Sequence, residues 1–143
     1  MSYSELQIGD FLAALGERTP APASGAATAM TAALASALVE LAARFAGDQR
    51  SVVRAKALWS RLAELADEDS AAYAAFMVER TDEARARIIA VPEEIATHAD
   101  EIAELAAHVA AQLHSSVVAD ANAGEELARA AGRVARRLAE VNA

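Results

Sequence analysis

No cysteine occurs in the 143 residues, so disulfides, thiolate zinc sites and a cysteine nucleophile are excluded. Proline is scarce, with three copies, and glycine is held to six; breaks in regular structure are therefore few and easy to place. Aromatic residues make up 4% of the chain, so the core is not built on large rings. Positive charge is in deficit: 13 Lys and Arg stand against 21 Asp and Glu, for a net charge of −8. Such a surface repels a phosphate backbone on average, which argues against nucleic acid as a partner. The longest apolar run, Ala26 to Val39, is broken by Thr28, Thr31 and Ser36. It falls short of the roughly 20 residues that a bilayer span needs, so no membrane partner is expected. The opening MSYSELQIGDF carries neither a basic cluster nor an apolar stretch; no secretory leader is expected, and the expected location is the cytoplasm.

What the chain has is alanine, 41 residues of it. Alanine loses no side-chain entropy in a helix and lets helix axes approach closely. The expected fold class is all-α: one domain over residues 1–143, an up-and-down multi-helix bundle with long helices. The sequence pattern places helices at about 4–15, 24–46, 49–78 and 120–141, with Gly47 capping the second. Pro92 reads as the first turn of a helix ending near Leu113, preceded by a shorter segment from Thr81 to Ala90. Helices this long leave apolar stripes that one copy does not cover, so a homodimer is expected.

The stripes point to chemistry. On the third helix Leu58, Leu62, Leu65, Ala72 and Phe76 recur at helical spacing, and the position missing from the series is Asp69. On the last helix the larger apolar residues Leu127, Val134, Leu138 and Val141, with Ala131, form a seam that extends back to Asp120. On the second, Ala27, Met30, Leu34, Leu38, Leu41 and Phe45 lead back to Ser24. Three helices thus present a polar residue where an apolar face should continue, and a carboxylate there needs a partner or a wet cleft. Two carboxylates meeting in one cleft suit general acid–base work. Plainer roles stand beside these: Asp120 and Ser24 as N-caps, Asp69 bonded to a helix end or an arginine, and Tyr73 as a structural tyrosine. Glu94, His98 and Glu101 share a helix face, as do Glu104 and His108; these read as solvated charge pairs, and no metal is expected.

Three segments together resemble the formiminotransferase-cyclodeaminase and methenyltetrahydrofolate cyclohydrolase family. FLAALGERTPAPASGAATAMTAALASALVEL is similar to its N-terminal helix, its proline- and glycine-rich turn and the small-residue helix that follows. LAELADEDSAAYAAF resembles its Asp-x-x-x-Tyr helix, with Asp69 and Tyr73 at those positions. VPEEIA through VVADANAGEELARAAGRVARRLAEVN resembles its closing helices, with Asp120 at the Asp position and Asn142 near the terminal Asn. The resemblance implies a dimer of helical domains with a tetrahydrofolate derivative as substrate. It implies Asp69 and Asp120 as catalytic residues, and Pro22, Ser24, Gly25 and Tyr73 as substrate-binding ones. The implied reaction is closure of 5-formiminotetrahydrofolate with loss of ammonia, or hydrolysis of the methenyl form. The turn here keeps a single glycine, and GDQR stands where the family carries lysines, leaving Arg44 as a candidate cation for the folate carboxylates. A second reading keeps the fold as a non-catalytic homodimer that binds another small molecule or a protein.

Overall fold

The computed structural model describes residues 2–143. A short 3-10 turn at Tyr3–Glu5 is followed by α1 (Ile8–Gly16), α2 (Ser24–Ala46), α3 (Gln49–Glu79), α4 (Asp82–Ala110) and α5 (Val118–Asn142). The first expected helix is therefore two pieces. Leu6 is extended and its N–H donates to the Tyr3 carbonyl to close the 3-10 turn, so α1 begins only at Ile8.

Helix ends follow local chemistry. Gly47 closes α2 in the left-handed region, which costs glycine least. Asp48 caps α3, its carboxylate accepting from the Ser51 N–H and hydroxyl and from Gln112. Led by the Gln112 bond, these contacts hold its carboxyl down at about 2. The acidic residue of GDQR thus has a structural role. Thr81 caps α4 through the Ala84 N–H, with Asp82 and Glu83 in the first turn, where negative charge is favoured. Pro92 consequently lies well inside α4 rather than at its start, and 81–90 is the first part of the same helix.

α2 to α5 run up and down. α2 packs against α3 and α5, α4 packs against the same two, and α2 also touches α4. One end of the bundle joins the start of α2, the end of α3, the start of α4 and the end of α5. The core is continuous and made largely of alanine, with Leu58, Leu62, Leu65, Ile95 and Ile102 as its large members. The α3 stripe turns inward as its spacing requires. The seams expected on α2 and α5 do not. α2 buries Ala29, Ala32, Ala35, Val39, Ala42 and Ala43, while Leu34, Leu41 and Phe45 stand exposed. α5 buries Ala121, Gly124, Ala128, Ala131, Ala135 and Ala139, leaving Leu127, Val134 and Val141 outside. Closeness explains this: a Cβ on Gly124 would sit 3.0 Å from the Ala35 carbonyl. Where backbones approach that closely only small residues fit, and the leucines are forced to the flanks.

α2 is the one helix among the described residues long and apolar enough by composition to cross a membrane; 56% of that window is buried within the bundle. On the seam between α3 and α4, Arg61 bonds Glu68 and Glu94, and Arg54 bonds Glu101 in bidentate fashion. His98 Nε2 lies 3.1 Å from Glu94. Glu94 therefore pairs along its own helix with His98, as the spacing leads one to expect, and also across to Arg61, while Glu101 pairs across to Arg54.

Candidate functional site

At the end of the bundle where α2 begins, the chain encloses a pocket of about 240 Å³. The turn before α2 contributes Pro20, Ala21 and Ala23, and α2 contributes Ser24 and Gly25. From α3 come Asp69, Ser70 and Tyr73, one turn of one face. Ile88 of α4 and Leu138 and Asn142 of α5 complete the wall.

Asp69 is the one carboxylate among the residues that line the pocket. Burial pushes its carboxyl above the ordinary carboxylate value, and no partner opposes the shift. The carboxylate occupies the space that a side chain at position 25 would need: a Cβ built on Gly25 would lie 2.1 Å from Oδ2. The residue before α2, Ala23, supplies no side-chain cap. The first N–H groups of α2 are thus left beside the pocket without a capping side chain. The small residues of the opening turn let a carboxylate reach the start of a helix.

The N-terminal segment is pinned to this end of α3. Asp67 accepts from the Ser2 hydroxyl at 2.6 Å and the Tyr3 N–H at 2.9 Å, and the Tyr3 hydroxyl donates to Ser70 Oγ at 2.9 Å. Tyr3 also packs on Phe11, with ring centroids 5.6 Å apart. Asn142 Nδ2 donates to the Ile88 carbonyl at 2.8 Å. Ile88 carried no site signal in the sequence, because it meets Asp69 only through the packing of α4 against α3; Ser70 comes with Asp69 as its neighbour on α3, and Leu138 belonged to the α5 seam.

The structure brings Ser24, Gly25, Asp69 and Tyr73 together. Pro22 is buried in the turn, joined to Ala21 by a cis peptide, and its neighbours rather than its own ring face the pocket. Asp120 is not in this pocket. It lies in the first turn of α5, after the helix has already begun at Val118, so it is not an N-cap either. Leu138, on the same unbroken helix, reaches the pocket some 18 residues later, about 27 Å away at helical rise. Arg44 sits at the far end of α2, paired with Glu40 at 2.9 Å. Glu40 also accepts the Trp59 indole N–H at 2.8 Å. Within one chain, the expected convergence of Asp69 and Asp120 does not occur.

No curated protein matches this sequence. Among solved structures, the fold is similar to the crystal structure of formiminotetrahydrofolate cyclodeaminase from Thermotoga maritima, with a TM-score of 0.92 and 21% identity. The likeness covers 97% of this chain and 79% of that one. The formiminotransferase-cyclodeaminase family matches residues 7–143, and on that near-complete match the chain belongs to this family.

Proposed function

We propose that the chain is a folate-dependent cyclodeaminase or cyclohydrolase in which Asp69 moves the proton. The observation that carries this reading is the unpartnered, half-buried Asp69 carboxyl beside Gly25. In cyclodeamination, folate N10 adds to the formimino carbon, the bond from that carbon to the terminal nitrogen breaks, and ammonia leaves. Starting from the protonated formimino group, the proton lost by N10 is the one the departing amine must gain, so atoms and charge balance with ammonia and the methenyl cation as products. A single carboxyl whose proton affinity burial raises above the ordinary carboxylate value suits that transfer, and its ionised form stabilises the methenyl cation that results. In the hydrolytic direction the same carboxylate activates water against that cation. The pocket is small for a whole drug-sized ligand, so it would hold the reacting ring system and leave the carboxylate tail outside. The near-ultraviolet band of methenyltetrahydrofolate gives the test. Added protein should speed its appearance from 5-formiminotetrahydrofolate or its decay from the methenyl form. Unchanged rates in both directions, with no folate binding, would leave the non-catalytic reading in place.

The assembly belongs to the same proposal: a homodimer through the outer faces of α1, α2 and α5. Leu34 is 63% exposed and Phe45 66%, Ile8 and Leu12 stand out beside them, and Leu127 and Val134 extend the patch. An apolar groove runs between α1 and α2. Antiparallel pairing of two α2 helices would set the Arg44 and Asp120 end of one copy beside the Asp69 pocket of the other. Light scattering is expected to give twice 14.9 kDa, and Leu34→Glu with Phe45→Glu should return a folded monomer. A monomeric wild type at micromolar concentration would refute the assembly.

A further inference from the structure

Pro92 has no N–H, so the carbonyl four residues before it in α4, that of Ile88, loses its helical donor. Asn142, the last residue of α5, supplies the replacement through Nδ2 at 2.8 Å. A carbonyl only accepts, so the orientation of this amide is set by chemistry: Nδ2 toward α4, Oδ1 away from it. Asn142 and Ile88 both line the Asp69 pocket. The one sealed, unpartnered side-chain polar atom among the described residues is His98 Nδ1; Asn142 Oδ1 is thus not sealed off, on a residue that lines the pocket. Pro92 itself is fully buried behind that wall.

We propose that Asn142 is a ligand-binding residue whose Oδ1 accepts an N–H of the bound molecule, and that Pro92 is a positioning residue acting through it by freeing the Ile88 carbonyl. The proposal rests on the Asp69 pocket being the substrate site. It adds a preference for a ligand edge that bears an N–H donor, from either a formimino group or the reduced pterin ring. Without Pro92, the amide of residue 92 would bond Ile88 within the helix, and the Asn142 side chain would lose the partner that aims it.

The test is steady-state kinetics with 5-formiminotetrahydrofolate and with methenyltetrahydrofolate on wild type, Asn142→Ala, Pro92→Ala and the double variant, with Tm measured for each. Asn142→Ala is expected to raise KM roughly ten-fold, the equivalent of one hydrogen bond. Pro92→Ala is expected to raise KM about three-fold while Tm holds or rises, because a helical hydrogen bond is restored. The double variant should be no worse than Asn142→Ala alone. An effect confined to the formimino substrate assigns the N–H to that group; an effect on both assigns it to the ring. A lowered Tm with KM unchanged in Asn142→Ala would reduce the contact to a structural tie and overturn the proposal. Effects of Pro92→Ala and Asn142→Ala that multiply would overturn the positioning role. If wild type neither binds nor turns over folate, the pocket assignment falls and this proposal with it. If Asp69→Asn loses turnover while Asn142→Ala keeps the wild-type KM, this proposal alone falls.

Discussion

Asp69→Asn should lower kcat by about 10²-fold or more, the usual contribution of a positioned acid–base group, while raising thermal stability at neutral pH. The two effects share one cause. Burial without a partner raises the Asp69 carboxyl above its ordinary value of 3.8, so the folded chain still holds that proton at pH values where the unfolded chain has released it. As pH climbs through the interval above 3.8, ionising Asp69 subtracts from stability, and the deficit is complete once pH passes the raised folded value. Asparagine never ionises. The variant should therefore melt higher than wild type at pH 7 and lose that advantage as the solution is acidified toward and below 3.8. Melting curves from pH 3 to 8, read beside the near-ultraviolet assay, check both halves. A variant that is slower and also less stable at neutral pH would mean that Asp69 has a structural partner, and the proton-transfer role would be withdrawn.

Asp69 could be found in the sequence because it interrupts a leucine series on α3 whose direction the leucines themselves determine. α2 and α5 were not legible in the same way. Their leucines and phenylalanine mark a regular stripe, but the close approach of the two helices at Gly124, against the Ala35 carbonyl, admits only small residues. The large side chains point out and the alanines in, so a seam drawn through the largest residues follows the wrong face. Asp120 was tied to Asp69 through that seam. α5 is a single helix, and Asp120 and the pocket lie at its two ends. Pro92 misled for a related reason. A proline inside a helix reads as a boundary unless the orphaned carbonyl finds another donor, and that donor, Asn142, lies 54 residues from the Ile88 carbonyl in sequence. Helix bounds at Ala46 and Gln49 agree with the sequence because Gly47 and Asp48 act locally, and the start at Ser24 agrees because Pro20 and Pro22 keep the turn before it out of the helix.

Gly25→Ala should be nearly as inactive as Asp69→Asn, although it adds one methyl group to a residue that takes no part in the chemistry. The backbone does not require glycine there: among the described residues the only glycine with positive φ is Gly47, and alanine is at home in the first turn of a helix. What the glycine provides is room. An added Cβ would fall 2.1 Å from Asp69 Oδ2 and 2.2 Å from its Cγ, far inside contact distance. The Asp69 side chain is short, so its carboxyl must rotate away from the helix start or α3 must shift. Either movement removes the proton carrier from its place at the pocket wall, and misplacing a reacting group by about 1 Å costs on the order of 10²-fold. The fold should survive, because the yielding atoms are the end of a side chain. Gly25→Ala combined with Asp69→Asn should then be no slower than Asp69→Asn alone, since both changes disable the same carboxyl. Circular dichroism showing an intact helical bundle, with kcat near wild type in Gly25→Ala, would mean the reacting molecule does not depend on where this carboxylate sits.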